Sequence, residues 1–122
     1  MDSKLFNKRW LGRHGEEKAV SYLIKKGYHI LSTNYTCPFG EIDIIAMIDE
    51  MIVFVEVKTR TSIRYGIPIE AVNWKKRQHI KKTAFHYIEQ EGLYDRNIRF
   101  DVIAIMVHDD DSYDIEHYEM CF

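Results

Sequence analysis

The sequence predicts an α/β domain, a central mixed β-sheet flanked by helices. Three observations carry this expectation. Two stretches with helical periodicity and helix-stopping glycines lie far apart, one ending at Gly27 and one at Gly92. Runs rich in β-branched residues ("EIDIIAMI", "MIVFVEVKTR", "IRFDVIAIMV") fall between and after them. The chain has 122 residues, which suits a single domain over 1–122 with its own core.

The first helix is expected to open near Arg13–Gly15. At about 100° per residue, Ala19, Val20, Leu23 and Ile24 share one face. Gly27 stops this helix after Lys25 and Lys26. "YHIL" reads as a short strand and "NYTCPFG" as a loop with Pro38 and Gly40. "EIDIIAMI" and "MIVFVEVKTR" form a hairpin turning at Asp49–Glu50. The second of these strands is apolar on both faces up to Glu56, the mark of a central strand. "SIRYGIPIEAV" is a loop. Asn73 caps a second helix from Trp74 to about Gln90, with Ile80, Ala84, Tyr87 and Ile88 facing inward. "IRFDVIAIMV" is a buried strand, "DDDS" a turn and "YDIEHYEM" a polar edge strand. The order is α-β-β-β-α-β-β.

Composition narrows the functional classes. Hydrophobic residues make up 46% and charged residues 30%, as in a globular protein. Cys37 and Cys121 lack metal or redox spacing and read as reduced thiols. No signal peptide is expected, and Asp49 and Glu50 interrupt the most apolar region, so no membrane span is expected either. A cytoplasmic protein is the expectation. The net charge of −2 hides an asymmetry. Val57–Lys82 carries eight basic residues and one acid, Glu70, whereas Asp101 onward carries seven acids and no Lys or Arg. The basic segment can attract phosphate; the bland alternative is a solvated, lysine-rich helix face.

Charged residues are rarely buried without a partner or a metal, yet Asp43, Glu56 and Lys58 sit in the apolar hairpin. Alternation puts Ile52, Phe54, Glu56 and Lys58 on one face. It puts Ile42, Ile44 and Ala46 on one face of the other strand, with Glu41, Asp43 and Ile45 opposite. Pairing then allows Asp43 to lie beside Glu56. Glu16 falls within the apolar arc of the first helix and Glu17 at its margin, so Glu16 is the acid that faces the sheet. Two like charges 4 Å apart cost roughly 1–4 kcal/mol. One lysine does not offset three carboxylates. Either a carboxyl is protonated or a hard divalent cation, Mg²⁺ or Mn²⁺, sits there. Each residue also has an ordinary structural explanation: an ion pair for Glu56 and Lys58, a turn cap for Asp43, a helix-dipole partner for Glu16.

"GEEKAVSYLIKKGYHIL", "GEIDIIA", "FVEVKTR", "IEAVNWKKRQHIKKTAFHYI" and "RFDVIAI" together resemble the YraN-type family, assigned to the PD-(D/E)XK nuclease superfamily and similar to archaeal Holliday junction resolvases. The resemblance spans Leu11–Met106. It implies a restriction-endonuclease-like αβββαβ core and Mg²⁺-dependent hydrolysis of DNA, branched or processed DNA included. It implies that Glu16, Asp43, Glu56 and Lys58 are the catalytic set. Metal ligation would fall to Asp43, Glu56, the Val57 carbonyl and Glu16. Ile42 stands where the superfamily often has proline. Gln78 and the lysines around it match a helix that meets substrate in related nucleases.

The expected nucleic-acid contacts are Arg60, Arg64, Lys75, Lys76, Gln78 and Lys82. A homodimer follows by analogy with enzymes acting on symmetric junctions. His79 is expected to be solvent-exposed, Trp10 and Trp74 to pack against the domain, and Arg99 and Asp101 to neutralise each other. Two other classes compete with the nuclease: a non-catalytic nucleic-acid-binding module of the same fold, and a scaffold that binds protein through its acidic C-terminal strand.

Overall fold

The computed structural model describes residues 8–61, 73–108, 110, 112–120 and 122. Their order is α1 (Lys8–Lys25), β1 (His29–Cys37), β2 (Gly40–Ile48), β3 (Met51–Arg60), α2 (Trp74–Glu91), β4 (Ile98–Val107) and β5 (Tyr113–Tyr118). The expected loop over 62–72, with Arg64 in it, lies outside the described residues, as do Cys121 and the Trp10 side chain. The strands form one five-stranded sheet in the order β1-β2-β3-β4-β5. All neighbours are antiparallel except β3 and β4, which run parallel. The architecture is α/β, a mixed sheet with two helices, consistent with a restriction-endonuclease-like core.

Local chemistry sets the element ends. Asn73 Oδ1 accepts the Lys76 N–H at 2.9 Å, which caps α2, and Gly92 closes it at φ 65°. Gly27, at φ 95°, ends α1 with the Tyr28 N–H donating to the Leu23 carbonyl at 3.0 Å. Asp49 and Glu50 both take positive φ, 46° and 68°, and make the two-residue hairpin turn between β2 and β3.

The helices cover opposite faces. Ala19 and Leu23 of α1 pack with Ile44, Ala46, Val53, Val55, Ile103 and Ile105. Ile80, Ala84, Tyr87 and Ile88 of α2 pack with Ile45, Ile52, Phe54, Phe100 and Val102. Burying such side chains stabilises the fold by roughly 1.5–3 kcal/mol each. β3 is central and β5 is an edge strand, as its polarity predicts.

Three sequence expectations change. β1 runs through "NYTC", which was expected to be loop; its backbone pairs with β2 out to Cys37↔Gly40. Ile24 is 56% exposed, whereas Ala19 and Leu23 are fully buried. Ile42 packs with Ile45 on the α2 side and not with Ile44 and Ala46 on the α1 side. Strict alternation is therefore broken at Asp43.

Candidate functional site

The break at Asp43 has a visible cause. Thr33 pairs with Ile44 and Tyr35 with Ile42, so Asn34 falls opposite Asp43. Asn34 is left-handed, at φ 53°, a conformation that asparagine tolerates better than most residues. On the other edge of β2, the pairing with β3 ends at Ile44↔Val55. Just beyond, the Val57 N–H donates to Asp43 Oδ2 at 2.8 Å. A side-chain carboxylate takes over where the backbone ladder stops, and the strands part there.

Glu56 lies at this parting and is 8% exposed. Its Oε1 pairs with Lys76 Nζ of α2 at 3.3 Å. Its Oε2 is buried with no hydrogen-bond partner. Burial, and then the charge on Asp43, push the Glu56 carboxyl up to about 7, against the pull of Lys76 and Lys58. Lys58 moves the other way, down to about 8. Burial is the main cause and the adjoining Lys76 ammonium the next, opposed by Glu56 and Asp43. Burial would lower Lys76 too, but its contacts with Lys58 and Glu56 outweigh this and raise it.

Glu16 reaches the group because α1 comes unusually close to β3. A Cβ on Gly15 would sit 1.8 Å from Thr59 Oγ1, so only glycine fits. Glu16 is half-buried and Glu17 exposed, as the helical periodicity predicts. Burial, then Asp43, raise the Glu16 carboxyl; a hydrogen bond with the Asn34 side chain opposes them. Asp43 thus stands between Glu16 on one side and Glu56 on the other, and both lysines gather at Glu56.

The donor set suits a hard divalent cation. It offers carboxylate oxygens, a strand backbone at Val57, and one buried oxygen, Glu56 Oε2, that nothing satisfies. Among the described residues, Glu16, Asp43 and Glu56 do not bring their carboxylate oxygens within 4.8 Å of one another. The group of described residues that does is Asp101, His117 and Glu119. Those atoms already have partners. Arg99 binds both Asp101 oxygens at 2.8 and 2.7 Å and Glu119 at 3.3 Å. His117 Nε2 meets Asp101 Oδ2 at 2.7 Å, and the Met120 N–H donates to Asp101 Oδ1 at 3.2 Å. Burial would raise the Asp101 carboxyl, but hydrogen bonds from His117 and Arg99 outweigh it and hold the carboxyl low. The expected Arg99–Asp101 pair is present, within a larger network.

Beside Glu56 opens a cavity of about 430 Å³ between β2, β3 and α2, lined by Glu41, Glu56, Asn73, Lys75, Lys76 and His79 among others. Of the expected phosphate contacts, Lys75 and Lys82 are exposed and Gln78 is half-buried on the same helix. Arg60 is half-buried with its Nε shielded and unpartnered. Lys76 is turned inward to Glu56, a role that helical periodicity alone does not reveal. His79 is exposed as expected. Trp74 is not packed but 74% exposed, in the first turn of α2 after the Asn73 cap. Asn34 was missed because "NYTC" carries turn residues; the asparagine itself was the available signal.

Residues 15–105 match the model of a family described as Uncharacterised protein family UPF0102. A UPF0102 protein of Caldicellulosiruptor bescii is 53% identical over 102 residues, 83% of this chain and 86% of that protein. One of Clostridium acetobutylicum is 48% identical over 112 residues, covering 91% and 92%. One of Clostridium perfringens is 46% identical over 119 residues, covering 98% and 93%.

Proposed function

The chain belongs to the uncharacterised protein family UPF0102, and we propose that it is a metal-dependent endonuclease of the YraN-type, PD-(D/E)XK kind that hydrolyses DNA phosphodiester bonds, with branched or processed DNA among its substrates. The observation that carries this reading is the unsatisfied, buried Glu56 oxygen beside Asp43 and Lys58, at the parting of β2 and β3.

Asp43 and Glu56, with the Val57 carbonyl and Glu16, would hold Mg²⁺ or Mn²⁺. Such an ion supplies Lewis acidity toward a phosphate oxygen and a more acidic bound water. The protein's residues do the rest. Asp43 is fixed by the Val57 N–H, so its second oxygen has a defined direction. Lys58, lowered by burial and by the adjoining Lys76, can orient the attacking water or stabilise charge on the phosphoryl oxygens. Lys75 and Lys82 lie along α2, where they can neutralise flanking phosphates without reading sequence. Among the described residues no helix is long and apolar enough to cross a membrane. A homodimer would match a two-fold substrate.

The test is incubation of the protein with labelled linear and four-way-junction DNA in Mg²⁺ or Mn²⁺, beside Asp43→Asn and Lys58→Met. Metal-dependent cutting by the wild type and at least 100-fold slower cutting by both variants is the expected result. Equal cutting by all three would refute the assignment. Binding without cutting would leave a nucleic-acid-binding module.

A further inference from the structure

The two oxygens of Glu56 have different surroundings: Oε1 holds Lys76 at 3.3 Å, and Oε2 is buried and alone. We propose that Lys76 is a latch coupling cation binding to nucleic-acid binding: it neutralises Glu56 in the cation-free protein and, once a divalent cation takes Glu56, turns outward to grip a phosphate. This rests on the reading of Glu56 as a metal ligand given above.

Four features support it. A buried carboxylate needs a counter-charge, and Lys76 is the ammonium paired with it. The contact is single and made by a lysine, a point charge on a flexible stem, not by the two-pronged fork of an arginine. The Lys76 side chain is 40% exposed and lines the open cavity together with Lys75 and His79, so its ammonium has a route to the mouth. The free Oε2 gives an incoming cation a ligand before Lys76 departs. A divalent ion here would then face two ammonium groups, Lys58 and Lys76. Lys76 holds the Glu56 oxygen that the ion would take, so Lys76 is the one that moves. Reciprocity follows: a phosphate that draws Lys76 out strengthens cation binding by the same factor.

The test compares the wild type with Lys76→Gln and Lys76→Arg, first by calorimetry with Mn²⁺ alone. The Gln variant should bind roughly tenfold tighter and the Arg variant should not. Binding to labelled duplex DNA is then measured over a salt series with and without a fixed level of Ca²⁺. In the wild type Ca²⁺ should steepen the log–log salt slope by roughly 0.9, one duplex phosphate, and in the Gln variant it should not. In the wild type the Lys76 ammonium proton signal should change from slow to fast exchange when Mg²⁺ binds. Equal or weaker Mn²⁺ binding by the Gln variant, or an unchanged Lys76 signal with Mg²⁺ bound, overturns the latch and leaves the metal site standing. No cation bound by the wild type or the Gln variant overturns both.

Discussion

Replacing Glu56 by Gln in cation-free buffer should stabilise the protein at pH 8 and leave it unchanged at pH 4. The reason is the energy of a buried charge. Glu56 is 8% exposed, and its carboxyl moves from an ordinary 4.5 up to about 7. At about 1.4 kcal/mol per pH unit, ionising it costs the fold about 3 kcal/mol. Between these two values the folded state holds more protons than the unfolded state. Stability therefore falls as pH rises through that window and levels off above about 7. Gln keeps the shape and cannot ionise. The attraction of Lys76 and Lys58 is already contained in that value, so the gain at pH 8 is about 3 kcal/mol, or about 12 °C in Tm. Urea denaturation of both proteins in EDTA from pH 4 to 8 reads the difference directly. A constant difference across the range, or a less stable Gln variant at pH 8, would refute the view of Glu56 as a strained carboxylate. Saturating Mg²⁺ should reverse the ranking, because the ion would favour the charged form.

Other substitutions probe the frame around it. Asp43→Asn keeps an acceptor for the Val57 N–H, so stability should change by less than about 1 kcal/mol, while Mg²⁺ binding falls at least tenfold by calorimetry. With the Asp43 charge gone, the Glu56 carboxyl should titrate lower in an NMR titration. Gly15→Ala puts a methyl 1.8 Å from Thr59 Oγ1; it should cost about 1–3 kcal/mol in chemical denaturation and weaken cation binding as α1 backs away with Glu16. Arg99→Met strands the fully buried Asp101 charge and should cost about 3–5 kcal/mol. Asp101 is held below the usual carboxylate range, so it stabilises the fold above that range, and the benefit is lost as pH falls through its lowered value. The Arg99 variant, without that benefit, should show a shallower decline of stability in acid, measured by the same denaturation.

Much of the frame was legible because it follows from short-range rules. A period of two exposed Asp43, Glu56 and Lys58 as misfits in apolar strands. Asn73 and Gly92 announced the ends of α2 by capping chemistry, and Glu16 was singled out from Glu17 by helical periodicity. The failures share a different origin. "NYTC" has turn residues, yet ladder bonds to β2 outweigh that local preference, and a left-handed Asn34 absorbs the mismatch. The face reversal at Ile42 depends on that same residue in the neighbouring strand. Ile24 and Trp74 are exposed through where each helix lies on the sheet, which no helical wheel records. The sequence places Lys76 on a basic helix, hence among the expected phosphate contacts, but does not give the distance across to β3.

β3 is paired by backbone ladders on both sides from Ile52 to Val55 and, apart from the Val57 N–H bond to the Asp43 side chain, on the β4 side alone from there to Arg60. In the language of hydrogen exchange, the first stretch opens only with the whole domain, whereas the second can open locally. Glu56 and Lys58 sit just past that boundary. They inherit their position from the most protected strand and retain a freedom of adjustment that strand otherwise lacks. Amide protection should drop sharply between Val55 and Thr59, and a bound cation joining Asp43 to Glu56 would knit the two strands together again and move the drop outward.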